Sequence, residues 1–430
     1  MLGAQPLPMD RRIRRAGSHI RTESVMDLDA AALTRVLGLC AGEQPGGPEE
    51  TVLLLRQSQP SFAPTMYSAW QSEGRKLNPA LQYELDVQRR RVQRYRQVAA
   101  DLAVAEPSIV ALKGLEVADR YPPGWIRYMN DLDYTIPEEP VLWRVVDALT
   151  RAGWEVDTGT FSLVDGWLQI MVSLRQQHED PYSLPYGVEV LNYVAAGDLA
   201  GVPALTTLPV ESRVSTVKNL LMLLFERFEQ RYRARDIVDA AVLLDASSAD
   251  HRAALHRTVH RLGLWPEYTE LGRLLTAAEL GPRLSLPPQN AVLATRINRS
   301  ARHLARLRHP LEAAVVHLQR RMIFGLMRPP ERWMWATAQA RLSASRALRT
   351  GLQCFGLPID DGQPGLHTAR IRERGDIAWV DTPVCRFLLT AGDEVEQSTL
   401  DLLATQEPVP GGSPEPAPAG ELPCATEPAR

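Results

Sequence analysis

The stretch from Val110 to Ile136 constrains the fold more than any other part of the chain. It reads VALKGLEVADRYPPGWIRYMNDLDYTI and predicts a short buried strand that ends at Lys113 and Gly114. A helical turn and a Pro-Pro-Gly break follow, and then a second strand that carries Asp131 and Asp133. Because side chains alternate between the two faces of a strand, these two carboxylates share one face.

Two carboxylates beside a glycine-ended strand are suited to holding a divalent cation and a phosphate chain. The residues around the acids, such as Leu132 and Tyr134, are apolar, so the acids are costly to bury unless a cation neutralises them. Gly114 would let backbone N–H groups approach phosphate oxygens, and Lys113 would add a positive charge. A D-x-D pair by itself is a weak signal because it is common by chance, and its surroundings decide its meaning.

The order of these parts resembles the nucleotidyltransferase (polymerase beta-like) superfamily. Within it the chain is most similar to the bacterial uncharacterised nucleotidyltransferases, whose usual pattern is Leu-Lys-Gly followed by Arg-x-Met-x-Asp-x-Asp. The residues that fit are Leu112, Lys113, Gly114, Arg127, Met129, Asp131 and Asp133. The likeness runs from about Arg89 to about Trp335. It implies metal-dependent transfer of a nucleoside monophosphate from a triphosphate such as ATP to an acceptor hydroxyl, with release of pyrophosphate.

A glutamate inside an apolar strand supplies a third acid. Glu189 lies between Val188 and Val190 and is costly to bury unpaired. The resemblance implies that Glu189, Asp131 and Asp133 are catalytic and bind two Mg²⁺ ions, with Glu189 helping to deprotonate the acceptor hydroxyl. The alternative is a strand glutamate whose carboxylate simply reaches solvent.

The chain departs from its relatives directly after this acid. They often continue Glu-x-His-Trp, whereas this chain has Leu191 and Asn192 in place of the last two residues. The role of that histidine is therefore in doubt. His178 lies upstream, near where relatives often carry a histidine, and is expected to be a surface loop residue.

The segment from Val214 to Asp245 has an apolar stripe at helical spacing, which predicts one or two packed helices. Its polar members resemble a lysine followed by Arg-Asp-x-x-Asp, a pattern found after the catalytic sheet in this family and in a toxin-type branch. These members are Lys218, Arg233, Arg235, Asp236 and Asp239.

That likeness implies specific contacts with the nucleotide. Lys218, together with Lys113 and Gly114, would contact the triphosphate. Arg127 would brace the acidic strand or touch the nucleotide. Asp236 would order nearby basic side chains by a charge-assisted hydrogen bond, whereas surface ion pairing is the alternative for Asp236 and its neighbour Arg235.

Composition limits which kinds of partner are expected. Among 430 residues, 45% are hydrophobic and 23% charged, which is ordinary for a soluble protein, and a net charge of −3 gives no global attraction to nucleic acid or anionic membrane. The four cysteines show no C-x-x-C spacing and suggest neither a zinc site nor a disulfide framework. No apolar window is long enough for a membrane span, so we expect a cytoplasmic protein without a membrane partner.

The predicted architecture is α+β, with a small mixed nucleotidyltransferase-type sheet flanked by N- and C-terminal helical regions and a small C-terminal β segment. Met26 is a candidate start codon, because Met26 and the run Asp27-Leu28-Asp29 predict the beginning of the first helix. The polar, arginine-rich stretch before it predicts a disordered arm, with a nucleic-acid-binding arm as the alternative. The expected divisions are a disordered arm (1–25), an N-terminal helical region (26–105), a catalytic core (106–200), a helical domain (201–350), a small β-containing segment (351–402) and a disordered proline-rich tail (403–430).

Several alternatives stay open. The acceptor could be a small molecule, a protein or a tRNA, and the preferred triphosphate and the oligomeric state are undetermined. A toxin-like enzyme acting on tRNA is one rival, which an arginine face formed by Arg299, Arg302 and Arg306 would support; the alternative is a soluble helical lid. A catalytically inactive nucleotide-binding protein is another. The run from Arg89 to Arg91 is expected to be a solvated helix face.

Overall fold

A computed structural model describes residues 28–164, 166–197, 202, 204–281, 284–306, 315, 318–319, 321–322, 328–339, 342–363 and 365–392. Within these ranges the protein is α+β, with one mixed sheet of nine strands packed between helices. The predicted arm (1–25) and the predicted tail (403–430) lie outside the described residues.

Among the described residues, four helices precede the sheet. Asp29 begins the first by accepting a hydrogen bond from the Ala32 amide, and Asn78 begins the fourth in the same way from the Leu81 amide. These helices are α1 (Ala30–Ala41), α2 (Pro48–Ser58), α3 (Ala63–Ser72) and α4 (Pro79–Ala105). A short 3₁₀ turn, Pro60–Phe62, joins α2 to α3.

The prediction that the run from Arg89 to Arg91 is a solvated face of α4 is wrong for Arg91. Arg91 is only 2% exposed and donates hydrogen bonds to the carbonyl oxygens of Leu184 and Pro185. Its guanidinium also lies over the Tyr186 ring, 5.2 Å from the ring centre. Arg91 therefore fastens α4 to the loop before a central strand, while Arg90 is exposed as expected.

The strands of the sheet are β1 (Val110–Leu112), β2 (Asp131–Thr135), β3 (Glu155–Val164), β4 (Trp167–Gln176), β5 (Tyr186–Leu191), β6 (Cys354–Asp361), β7 (Arg370–Arg374), β8 (Ile377–Asp381) and β9 (Cys385–Thr390). Their order is β1-β2-β5-β4-β3-β6-β9-β8-β7. Strands β2 and β5 are parallel, and every other neighbouring pair is antiparallel.

The C-terminal strands extend the central sheet, whereas the sequence suggested a separate small one. The reason is β3, whose outer edge offers unpaired backbone groups that β6 takes up. At this junction Phe161 and Phe387 pack edge to face, 5.1 Å between ring centres. Gly159 and Gly356 leave room for those rings, since a Cβ at either position would lie 2.6 Å from Phe161.

The remaining described helices follow β1 in the chain. They are α5 (Leu115–Ala118), α6 (Glu139–Arg151), α7 (Ser215–Glu226), α8 (Ala234–Asp245), α9 (Ala249–Leu262), α10 (Trp265–Ala277), α11 (Gln289–Arg306), α12 (Pro329–Gln339) and α13 (Ala344–Arg349). One hydrophobic core joins α1–α3 to α7–α10, and a second joins the sheet to α4, α6 and α13. Across the described ranges, no helix is both long and apolar enough to cross a bilayer.

Candidate functional site

The three acids singled out from the sequence meet across the parallel pair of β2 and β5. Asp133 is the register partner of Glu189, and Asp131 is the register partner of Gly187. Alternate residues such as Leu132 and Val188 are buried on the other face of the sheet. Asp131, Asp133 and Glu189 line one cavity of about 760 Å³.

These carboxylates lie close to one another with little to neutralise them. Neither Asp131 nor Asp133 makes a side-chain hydrogen bond or ion pair with any described residue, and Glu189 accepts one long hydrogen bond, 3.3 Å, from the Ser173 hydroxyl. Burial, followed by the charge of Asp131, raises the pKa of Asp133 well above its ordinary value and that of Glu189 to about 7. Burial also raises the pKa of Asp131.

Oxygen ligands in this electrostatic setting fit Mg²⁺, because a hard cation would relieve the repulsion among the acids. The acids do not form a preassembled cage, however. Within the described ranges, no group of three or more His, Cys, Asp and Glu side chains is arranged to hold a metal ion. The strand register thus brings the three carboxylates to one cavity wall, and their side chains would have to converge on a bound ion.

Lys113 lines the same cavity from the turn after β1. Its backbone has a positive φ of 54°, and its amide donates to the Asn219 side-chain oxygen on α7 at 2.7 Å. Its ammonium forms an ion pair with Glu226 at the end of α7. Burial opposes the charge on this lysine, but Glu226 and Asp133 raise its pKa above the ordinary value. The turn therefore directs a fixed positive charge toward the acidic wall.

Gly114 follows with φ 54° and ψ −119°, a conformation that favours glycine. A Cβ here would also lie 3.4 Å from the Met129 side chain. Gly114 is not among the residues that line the cavity. Its position is explained by the turn, and its predicted contact with phosphate stays a prediction.

Arg127 lies behind the acidic strand. It is 5% exposed and holds Asp239 of α8 through three hydrogen bonds, Nε to Oδ1 at 2.9 Å, Nε to Oδ2 at 3.0 Å and Nη2 to Oδ2 at 2.7 Å. The Tyr121 hydroxyl donates to the same carboxylate at 2.6 Å. Of the two roles predicted for Arg127, these contacts correspond to bracing, because they tie the segment before β2 to α8.

The Lys218 ammonium also contacts neighbouring protein groups. It is 4% exposed, and its ammonium donates to the Ala111 carbonyl oxygen at 2.6 Å and pairs with Glu116 at 2.8 Å. It does not line the cavity. In this arrangement it fastens α7 to β1 and α5, and its predicted contact with a triphosphate stays a prediction.

The cavity has further walls that the motifs did not indicate. Gln59, from the 3₁₀ turn region of the N-terminal helices, lines it and accepts a hydrogen bond from the Ala234 amide at 3.1 Å. Glu226 and Arg235 line it too. A signal for Glu226 was available, since it is an acid at the end of an apolar helical stripe. Nothing in the sequence places Gln59 there, because its contact spans 175 positions.

The alternative of surface ion pairing for Arg235 and Asp236 is wrong. Their side chains are 15% and 2% exposed, and the guanidinium lies 3.6 Å from the carboxylate. Asp236 also accepts from the Arg233 amide at 2.9 Å, which completes a capping box at the start of α8. Asp236 thus holds the start of α8 in place, and its carboxylate lies beside the Arg235 guanidinium.

Two smaller expectations also change. His178 is buried rather than a surface loop residue: its ring stacks on Tyr186, 4.8 Å between ring centres, and its Nδ1 accepts from the Asp180 amide. Arg299 is not a freely solvated arginine, because it makes paired hydrogen bonds with Glu267 at 2.8 and 2.6 Å. Arg302 is exposed and the Arg306 side chain lies outside the described residues, so the arginine face on α11 stays a prediction.

The geometry of this site is the basis for assigning a function, because similarity to known proteins offers none. No known protein family, no curated protein and no solved structure matches the chain.

Proposed function

We propose that this protein is a metal-dependent nucleotidyltransferase that moves a nucleoside monophosphate from a nucleoside triphosphate to an acceptor hydroxyl and releases pyrophosphate. The observation that carries the proposal is the pairing of Asp133 with Glu189 across two parallel strands, with Asp131 on the same cavity wall. Acids kept unpaired and partly buried are costly to the fold, and a cation-dependent reaction gives a reason for that cost.

The charges around the cavity support a division of roles. Asp131, Asp133 and Glu189 would hold two Mg²⁺ ions, which when bound supply charge neutralisation for the phosphates and lower the pKa of the acceptor hydroxyl. Lys113 and Arg235 line the cavity as cations and would bind phosphate oxygens. Arg127 acts as a brace, through Asp239.

The reaction would proceed by attack of the acceptor oxygen on the α-phosphorus. The bond from that phosphorus to the bridging oxygen breaks, and the electron pair leaves with pyrophosphate. The proton of the acceptor hydroxyl passes to Glu189, the carboxylate that lines the cavity beside Asp133. Lys113 stabilises the negative charge that collects on the leaving phosphates.

Two measurements test this proposal. Calorimetry with ATP, CTP, GTP and UTP, each with and without Mg²⁺, should detect triphosphate binding that requires the metal. Incubation with α-labelled triphosphates and cell extract should then label the acceptor, whether it is a small molecule, a protein or a tRNA. Identification of the labelled species gives the base preference and the acceptor class together.

The control is a substitution of matched chemistry away from the cavity. Asp131→Asn should abolish labelling, while Asp376→Asn, at an exposed position between β7 and β8, should leave it unchanged. Triphosphate binding that is indifferent to Mg²⁺, with no labelling of any acceptor, would point instead to an inactive nucleotide-binding protein. Absence of triphosphate binding would overturn the proposal.

A further inference from the structure

Glu226 forms an ion pair with Lys113, the cation that a triphosphate would use. Its Oε1 accepts from the Lys113 ammonium, and the two side chains are only 15% and 19% exposed. Its other oxygen, Oε2, is buried and has no hydrogen-bond partner among the described residues. Lys113 thus meets a carboxylate inside the cavity at the place where phosphate oxygens are expected.

The backbone leaves Lys113 few other positions. Its positive φ and the hydrogen bond from its amide to Asn219 fix where its side chain begins, and Asn219 lies on α7, the helix that ends at Glu226. The lysine and the glutamate are therefore held facing each other by one helix. The Lys113 ammonium is a compact point charge with three N–H donors, and the donor held by Glu226 reaches a phosphate oxygen only when that contact breaks.

We propose that Glu226 competes with the triphosphate for Lys113 and gives it up when the Mg²⁺–nucleotide complex binds. This inference rests on the proposed function, because it takes Lys113 to be a phosphate ligand. Glu226 then lowers nucleotide affinity: binding must first break a buried, charge-assisted contact before the lysine reaches phosphate. It also keeps the lysine neutralised while the cavity holds no nucleotide.

The test is calorimetric titration of Mg²⁺–ATP, and of the other three triphosphates, into the full-length protein and its variants. Glu226→Gln should bind more tightly than the wild type, by about tenfold if the broken contact resembles other hydrogen bonds between charged groups. Lys113→Met should bind more weakly. A substitution that merely damages the fold would weaken nucleotide binding. An increase in nucleotide affinity in Glu226→Gln is therefore the distinctive result.

A double-mutant cycle shows whether Glu226 acts through Lys113. In a Lys113→Met background, Glu226→Gln should have little further effect on nucleotide affinity. If the same tightening appears without the lysine, general removal of negative charge is the cause and the inference is wrong. Should Glu226→Gln fail to fold, as judged by circular dichroism, Glu226→Asp is the substitute, because its shorter side chain keeps the charge but withdraws it from Lys113.

The outcomes separate the two proposals. Metal-dependent triphosphate binding that is unchanged or weakened in Glu226→Gln would overturn the inference and leave the proposed function standing. No triphosphate binding by the wild type and by Glu226→Gln would overturn both.

Discussion

Asp133 and Glu189 are register partners on adjacent parallel strands, so two carboxylates share one cavity wall, and neither forms an ion pair with a described residue. Lys113 acts on both from a distance, but its ion pair is with Glu226. The raised pKa of each acid reflects burial first and the negative charge of Asp131 second. Such an arrangement lowers the stability of the metal-free fold, because burial and repulsion both disfavour the ionised carboxylates.

Asp133→Asn should make the metal-free protein more stable. Replacing the carboxylate by an amide of similar shape removes a buried charge that repels Asp131 and Glu189. We expect the free energy of unfolding in EDTA to rise by about 1 kcal/mol or more, as measured by urea titration. The same variant should lose nucleotidyl transfer.

Magnesium provides the control for this prediction. Added Mg²⁺ should raise the melting temperature of the wild type more than that of Asp133→Asn, because binding to the folded state stabilises it. A variant that is less stable than the wild type in EDTA would show that Asp133 is structurally satisfied in a way the cavity geometry does not indicate.

Arg127→Met should be among the most destabilising substitutions in the chain. It would leave Asp239, whose side chain is 0% exposed, as a buried carboxylate with the Tyr121 hydroxyl as its one hydrogen-bond donor among the described residues. Breaking a buried ion pair from one side costs about 3–5 kcal/mol. Urea unfolding followed by circular dichroism measures this loss.

An exposed ion pair supplies the comparison. Arg96 and Asp119 lie 2.6 Å apart, but their side chains are 58% and 59% exposed. Arg96→Met should therefore cost less than about 1 kcal/mol. Equal costs for Arg96→Met and Arg127→Met would contradict the bracing role assigned to Arg127.

The sequence could predict the acidic wall because its signal is local. Alternation along one strand puts Asp131 and Asp133 on the same face, and both do line one cavity. Glu189 was found by the same reasoning, as an acid inside an apolar strand. The register that pairs it with Asp133 depends on β5 lying parallel to β2, which no local pattern specifies.

The partners of the basic residues could not be predicted in the same way. Lys218 matched a pattern, but whether its ammonium turns toward the cavity or toward Glu116 is decided by the packing of α7 on β1 and α5. Strand β3 was missed, and with it the continuity between the central strands and β6. Both depend on contacts between segments far apart in the chain.

Asp236→Asn should change how stability depends on pH. Burial, followed by the charge of Glu226, raises the pKa of Asp236 from 3.8 to about 6. An acid with a raised pKa in the folded state favours folding at low pH, and that contribution is lost as the pH rises through about 6. The free energy of unfolding of Asp236→Asn minus that of the wild type should therefore increase between pH 3.8 and about pH 6, and it should level off at higher pH.

Urea unfolding at a series of pH values from acid to neutral measures that difference. The amide can still accept a hydrogen bond from the Arg233 amide, so the start of α8 should be retained. A difference that falls as the pH rises would mean that the ion pair with Arg235 outweighs the burial of Asp236.

Gly187→Ala should weaken Mg²⁺–nucleotide binding although it touches neither ligand. Gly187 is the register partner of Asp131, and a Cβ on it would lie 3.3 Å from the Asp131 Cβ and 3.4 Å from the Asn130 carbonyl oxygen. Those distances are tight enough to displace Asp131 by a few tenths of an ångström. Displacing a metal ligand through its support reduces metal affinity by about tenfold or more, which calorimetry in Mg²⁺ can measure.

Gly47→Ala is the matched control, because Gly47 has an extended backbone and a Cβ there would meet only the Glu49 side chain at 4.0 Å. It should leave nucleotide affinity unchanged. The overpacking at Gly187 should cost about 1–3 kcal/mol of stability, so binding is compared at a temperature where both variants are folded. If Gly187→Ala binds the Mg²⁺–nucleotide complex as the wild type does, Asp131 does not hold the metal in the position that the β2–β5 register gives it.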